Sequence, residues 1–316
     1  MRWLKVMEAA CSQKNRNLIA KKASLGIFPC PDKDNSPLAT VPELPEVEIT
    51  RRGIEPFVLG KTITAVKVRN PNLRWRVSPN IARIAVGQQV RRVQRRGKYL
   101  VLECVEGSLI LHLGMSGSLR VIDPGVPPGK HDHLDLVFGG SALRLRDPRR
   151  FGTVLWTRGK AGEHPLLAAL GVEPLSEQFS GEFLHGATRH RRVGIKQLLM
   201  NASVVVGIGN IYANESLYRA GIHPRTRAGR LSRARCERLV AAVRDTLLAA
   251  LAAGGSSLRD FVHSDGASGY FQQNYFVYGR AGLPCRTCGT AIRTERAGQR
   301  SSFYCPNCQR RKDRIT

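Results

Sequence analysis

Val41-Pro42-Glu43-Leu44-Pro45-Glu46-Val47-Glu48 opens a segment in which Val47, Ile54 and Val58 recur at helical spacing before Gly60. The pattern predicts an amphipathic helix. Pro45 suits the first helical position, where its missing N–H costs nothing, and Glu46 and Glu48 face the positive end of the helix dipole. Gly60 supplies a stop. A helix alone does not account for a proline beside a glutamate at a point where a chain could begin.

Outward from this helix the composition narrows the choices. The chain has 316 residues, enough for two modest domains with real cores. Lys and Arg total 50 against 24 Asp and Glu, a formal charge of +26. That excess points to a polyanion, because basic side chains release counterions from phosphates. No apolar run approaches a membrane span, and charges interrupt the first forty residues so that no signal-peptide core forms. The eight cysteines therefore suggest metal rather than a disulfide framework.

Between residues 61 and 156, short apolar segments alternate with turns. Ile63 to Val68, Tyr99 to Cys104, Ser108 to Leu113, Ser118 to Ile122, Leu134 to Phe138, Ala142 to Arg146 and Thr153 to Trp156 read as strands. Strands without intervening helices predict a β-sandwich with the opening helix at its edge. Beyond Gly162 the period becomes helical. Ser232 caps a segment on which Leu239, Val243, Leu247 and Leu251 align, ended by Gly254-Gly255. A helix pair is expected between Gly194 and Ala220, around the turn Val206-Gly207-Ile208-Gly209-Asn210.

The tail carries the strongest motif. Cys285-x2-Cys288, sixteen residues, then Cys305-x2-Cys308 matches a four-thiolate zinc site with a hairpin between the knuckles. Four cysteines close the coordination sphere, so one structural Zn2+ is expected, standing in for a core too small to form alone. An iron–sulfur cluster is the competing occupant. Cys11, Cys30, Cys104 and Cys236 are scattered and read as free thiols.

Two glycines in the turn before Asn210 let backbone approach an anion and point N–H groups outward. A dinucleotide fingerprint would need a third glycine and a βαβ setting, both absent. Asp147-Pro148-Arg149-Arg150-Phe151-Gly152 sets guanidinium groups beside an aromatic, which is either a core residue or a wedge for a gap left by an extruded base. Lys98, in Arg95-Arg96-Gly97-Lys98-Tyr99, stands at a strand entrance. Lys130-His131-Asp132-His133 alternates on a strand, which puts Asp132 on the face opposite the histidines and argues against a metal site. Ser264-Asp265-Gly266-Ala267-Ser268-Gly269-Tyr270-Phe271 is a candidate lid.

From Pro42 to about Gln309 these motifs, in this order, resemble the bacterial formamidopyrimidine-DNA glycosylase family, the base-excision enzymes for oxidised purines. The resemblance implies an α+β multi-domain fold. Residues 42–160 would form a catalytic β-sandwich with a flanking helix, 161–276 a helix-two-turn-helix DNA-binding domain, and 277–316 a four-cysteine zinc-finger hairpin. It implies Pro42, Glu43, Lys98 and Arg300 as catalytic residues. Met115, Arg149 and Phe151 would fill the gap left by a flipped base, and His131, Arg191 and Asn210 would contact DNA. The loop at 264–271 would close over the flipped base. The implied partner is double-stranded DNA containing oxidised bases, bound by a monomer in a bacterial cytoplasm. Two other readings stand beside this one: a catalytically silent lesion-binding protein, and an enzyme resembling endonuclease VIII that acts on oxidised pyrimidines. PELPEVE and the 264–271 loop favour the purine enzyme.

In the family the proline is the first residue, and its secondary amine is the nucleophile. Here residues 1–41 precede or include the junction and read as a flexible extension: a transit peptide, a basic arm, or a start placed too early. Val41 favours the last, since GUG can initiate translation as a methionine that is removed before proline. Within a chain, Pro42 nitrogen is a tertiary amide and cannot form an iminium ion.

Overall fold

The computed structural model describes residues 41–254, 275–297 and 299–311. The expected lid at 264–271, Gly255, Cys11, Cys30 and the extension through residue 40 lie outside them. The opening helix, α1, spans Leu44–Val58 with Glu43 as its N-cap. Leu44 is therefore the first helical residue and Pro45 the second, one position later than the sequence pattern suggests. Gly60 adopts φ +74° just beyond the helix, the left-handed conformation that glycine accepts without penalty.

The sandwich follows as β1 (Ala65–Val68), a short helix α2 (Ile81–Ala85), β2 (Val90–Arg96), β3 (Tyr99–Cys104), β4 (Ser108–His112), β5 (Ser118–Ile122), β6 (Asp132–Val137), β7 (Ala142–Arg146) and β8 (Thr153–Thr157). Among the described residues these strands form two four-stranded antiparallel sheets, ordered β1-β6-β7-β5 and β2-β3-β4-β8. Leu100, Leu102, Leu109 and Leu111 from one sheet meet Leu134, Leu136, Leu143 and Leu145 from the other, and Val47, Ile54 and Val58 of α1 close the core. This is the sandwich with an edge helix that the strand spacing predicts.

Strand β2 and helix α2 have no counterpart in the sequence reading. Val90-Arg91-Arg92-Val93-Gln94-Arg95-Arg96 carries only two apolar residues, and a register shift between Val90 and Arg92 breaks its alternation. Its last two arginines, Arg95 and Arg96, are structural. Arg95 Nη1 and Arg96 Nη1 reach Glu173 at 2.8 and 3.1 Å, and the Gly97 N–H donates to the same carboxylate at 2.7 Å. The strand thus staples the sandwich to the helical half.

That half contains α3 (Pro165–Ala168), α4 (Gly181–Thr188), α5 (Ile195–Leu199), α6 (Asn210–Arg219) and α7 (Arg233–Ala252). Ser232 caps α7 by accepting from Arg235 N at 3.4 Å, and Leu239, Val243 and Leu247 are buried against α4 and α6. The expected helix pair is α5 and α6. The tail hairpin joins β9 (Arg293–Ala297) to β10 (Arg300–Tyr304), antiparallel, and docks on α6 where Phe303 N donates to Asn214 Oδ1 at 2.9 Å. Buried Glu215 of α6 accepts from Phe276, Val277 and Tyr278 N–H at 2.9, 2.9 and 2.8 Å, holding the chain that enters the hairpin.

Two outcomes test this packing. Buried Asp135 accepts from Arg144 Nε and Nη2, each at 2.9 Å, and from Arg69. Burial by itself raises the carboxyl pKa, but the hydrogen bonds from Arg144 and Arg69 outweigh it and hold it below the usual value. The stability it confers is present above the ordinary aspartate pKa of about 3.9 and is lost as pH falls through the lower folded value. Asp135→Ala removes the main counter-charge of Arg144, leaving it Asp132 at 3.6 Å and the Val126 and Pro127 carbonyls. Urea unfolding at neutral pH should show a loss of up to about 3–5 kcal/mol, with a shallower acid limb than the parent. Glu215→Ala leaves buried amides without an acceptor, at a cost of about 1–3 kcal/mol each if nothing replaces it. Its readout is faster amide hydrogen exchange at residues 276–278; unchanged protection there would remove Glu215 as the anchor.

Candidate active site and metal centre

The site forms where α1 begins and α6 begins. Glu43 is buried, with its carboxylate against the N-terminus of α6: Gly209 N–H donates to Oε2 at 2.6 Å, Ile211 N–H to Oε1 at 2.9 Å and Tyr212 N–H to Oε2 at 3.4 Å. The sequence reading expects the glycine turn to approach an anion, and the anion it holds is this carboxylate. Only glycine fits: a Cβ at Gly209 would lie 2.3 Å from Glu43 Cδ and 2.6 Å from Lys98 Nζ. Gly207, at φ +80°, faces Leu44 equally closely, and Leu44 N–H donates to its carbonyl at 3.0 Å. Pro42, half-buried, stands directly before this carboxylate.

Glu46 supports Glu43 from below. Its Oε2 accepts the Glu43 N–H at 2.9 Å and its Oε1 accepts from Tyr212 Oη at 2.7 Å. Burial raises the Glu43 pKa, opposed by the Lys98 charge; Glu46 raises it further, while the Ile211 and Gly209 amides lower it, and the balance stays above the carboxylate norm. Lys98 shifts down, through burial and then Arg300, against the pull of Glu43.

Several residues at this centre escaped the sequence reading. His112 ends β4, and burial, Lys98 and Arg74 push its pKa down to about 4. Its Nδ1 accepts from Gly114 N at 2.9 Å, so at neutral pH the imidazole is uncharged with its proton on Nε2. Lys196 is buried on α5, donating to Ser301 O at 2.7 Å and Ser302 Oγ at 2.9 Å, and burial with Arg300 nearby brings its pKa to about 7. A lysine inside Ile195-Lys196-Gln197-Leu198-Leu199, where most neighbours are apolar, was the available signal. Exposed Arg300 begins β10, and together with Arg192, Lys196, Arg225, Arg227 and Arg311 it lines a cleft of about 670 Å3.

Met115 and Phe151 project from two adjoining loops and are 37% and 41% exposed, which excludes the core alternative for Phe151. The Arg149 guanidinium lies 5.0 Å from the Phe151 ring centre. Asp147 ties the loops, accepting from Ser116 Oγ and Gly152 N–H at 2.7 Å each. Gly114, at φ +68°, could carry no Cβ, which would lie 2.5 Å from the Phe151 carbonyl carbon. His131 precedes β6 and is half-buried. A bulge between Asp132 and Leu134 interrupts the simple alternation assumed for this run, and His133 turns inward to the Asp147 carbonyl at 2.7 Å. Arg191 is exposed on the loop after α4, and Asn210 opens α6 directly after Gly209.

Cys285, Cys288, Cys305 and Cys308 converge with all sulfurs within 4.8 Å of one another. Separations of 3.9 Å (Cys285–Cys308) and 3.5 Å (Cys288–Cys305 and Cys288–Cys308) surround the roughly 3.8 Å that tetrahedral Zn–S bonds of about 2.3 Å require. The donor set fits one structural Zn2+. Among the described residues no other His, Cys, Asp and Glu group is placed to hold a metal, and no helix is long and apolar enough to cross a membrane.

Comparison with known proteins extends this geometry. Residues 41–154 match the formamidopyrimidine-DNA glycosylase N-terminal domain, 170–262 the formamidopyrimidine-DNA glycosylase H2TH domain, and 282–311 the zinc finger found in FPG and IleRS. The formamidopyrimidine-DNA glycosylase of Aromatoleum aromaticum is 62% identical over 271 residues, covering 86% of this chain and all of that protein. That of Paraburkholderia phymatum is 58% identical over 276 residues, covering 85% of this chain and all of that protein. Among solved structures, the MutM (Fpg) protein of Thermus thermophilus superposes with a TM-score of 0.77 at 39% identity, covering 85% of this chain and 98% of that one. The Lactococcus lactis Fpg in complex with abasic-site DNA gives 0.79 at 32%, covering 85% and 100%. Three family models match this chain in order and its relatives are covered over their full length, so the chain belongs to the formamidopyrimidine-DNA glycosylase family.

Proposed function

We propose that the free secondary amine of Pro42 is the nucleophile of this chain, with Glu43 and Lys98 managing protons around it. By family the chain is a DNA glycosylase with abasic-site lyase activity, removing oxidised purines in base-excision repair. The observation that carries the assignment of roles is the Glu43 carboxylate, fixed by the α6 amides one residue after Pro42.

The reaction follows from that placement. Met115, Arg149 and Phe151, exposed on loops braced by Asp147, occupy the space left when a damaged purine leaves the stack. His131, Arg191 and Asn210 meet the DNA around it, and Arg300 holds a backbone phosphate from the hairpin. Pro42 nitrogen attacks C1′, the glycosidic bond breaks, and the departing base takes its electron pair. Glu43, whose pKa burial raises, protonates the opening sugar as general acid. The resulting iminium ion draws electrons from C2′ once a proton leaves there, expelling the 3′-phosphate and then, by a second elimination, the 5′-phosphate. Lys98, with its depressed pKa, can take and return those protons. The zinc ion keeps the hairpin folded and so holds Arg300 in place.

The amine must be free. An α-amino group has a pKa of about 7.7–8.0 and is partly uncharged near neutrality, whereas Pro42 behind a peptide bond has neither lone pair nor proton to use. We propose that the catalytic form begins at Pro42. The family match beginning at residue 41 supports this, as do relatives aligned over their full length to the rest of the chain.

Intact mass and amino-terminal sequencing from the native host, combined with borohydride trapping on 8-oxoguanine duplex, tests it. The expected result is a terminus at Pro42 and a trapped covalent adduct. A terminus at Met1 without adduct would leave a lesion-binding protein, and an adduct with residues 1–41 intact would place the nucleophile elsewhere. Gly209→Ala, in the form beginning at Pro42, forces the Glu43 carboxyl and Lys98 ammonium apart. Single-turnover base release should fall about 10²-fold or more, the scale for a catalytic group displaced by about 1 Å, and an unchanged rate would remove Glu43 from the reaction.

A further inference from the structure

One polar cluster outside the catalytic centre links the cysteine site to the helical half. Tyr218, near the end of α6 and 8% exposed, sets its hydroxyl 3.1 Å from Cys285 Sγ and 2.7 Å from Thr287 Oγ1. The ring is held in place: it stacks on Phe276 with centroids 5.4 Å apart and planes 23° apart, and Phe276 N–H is bound by Glu215. The Arg219 and Arg286 guanidinium groups lie 5.5 and 5.8 Å from the Phe276 ring centre. The hydroxyl therefore reaches the sulfur from an element of the helical core.

We propose that Tyr218 is an outer-sphere hydrogen-bond donor to the Cys285 thiolate, oriented by Thr287, and that it couples zinc retention by the finger to helix α6. The proposal rests on the zinc reading of the four cysteines. Valence sets the direction of each bond. A metal-bound thiolate has no proton and only accepts, so the single phenolic proton of Tyr218 goes to Cys285 Sγ. Thr287 then donates its own proton to Tyr218 Oη, giving an aligned chain from Thr287 through Tyr218 to the sulfur.

The electrostatics explain what the chain does. Four thiolates on one Zn2+ carry a net charge of −2, partly removed from water. A charge-assisted donor offsets part of that charge and makes the sulfur a poorer target for protons and electrophiles. The Thr287 bond polarises the phenol and strengthens its donation. Because Tyr218 lies on the helix whose N-terminus holds Glu43, the same rigid element touches both the catalytic carboxylate and the metal site.

The test uses the full chain with Tyr218→Phe, Thr287→Val and the double variant, each loaded with Zn2+ or with Co2+. In the cobalt forms, the sulfur-to-metal charge-transfer band should move to longer wavelength in Tyr218→Phe, because a thiolate without its donor is easier to oxidise. In the zinc forms, transfer of metal to a colorimetric chelator should be about 10-fold faster, the lower end for loss of a second-shell partner. Thr287→Val should shift both readouts the same way by less, and the double variant should match Tyr218→Phe. An unmoved band with faster zinc loss would make Tyr218 a packing residue and overturn the proposal, as would parent-like behaviour in both readouts. Should Tyr218→Phe fail to fold, Thr287→Val decides: a shifted band supports the chain and an unshifted one overturns it.

Discussion

The buried Glu43 carboxylate, held on the N-terminus of α6, is the contact on which the remaining structure depends. A carboxylate stripped of water is costly unless its lone pairs are filled, and the amides of Gly209, Ile211 and Tyr212 fill them while the helix dipole favours the charge. That requirement binds the start of the sandwich to the middle of the helical half. It also explains both glycines of the turn, since Gly207 meets Leu44 and Gly209 meets Glu43 at distances no side chain tolerates. Glu46 and Tyr212 complete the shell, so the acid we propose and an interdomain joint are one object.

Charge is divided between two uses. Arg95 and Arg96 hold Glu173, Arg144 and Arg69 hold Asp135, Arg189 binds the Leu231 carbonyl and Arg244 the Phe179 carbonyl. These guanidinium groups build the fold and are largely spent on it. Arg149, Arg191, Arg192, Arg227 and Arg300 are exposed and remain available for phosphate. The formal charge of +26 already subtracts the acids in these ion pairs, so the excess comes from basic groups such as this exposed set, which can steer a polyanion.

The centre is also built from pKa values pushed apart. Burial moves Glu43 up while Lys98, His112 and Lys196 move down, because desolvation penalises whichever form is charged. A carboxyl shifted up, two lysines shifted down and an uncharged imidazole thus belong to one electrostatically linked group. The cysteine site is a separate device, and its task is to hold the β9–β10 hairpin and Arg300 against α5 and α6.

By itself, the sequence determined the sandwich, the long capped helix α7, the helix pair and the cysteine knuckles, because these rest on local periodicity, caps and ligand spacing. It missed β2, whose bulge and arginines erase alternation, and it missed His112 and Lys196, which look like ordinary polar residues in apolar runs. It could not tell whether Phe151 was core or wedge. Nor could it name the anion at the glycine turn, since the carboxylate concerned lies 166 residues earlier in the chain. Only the tertiary structure decided these points: burial, and hence pKa and exposure, is set by which distant segments meet, and no local pattern encodes that.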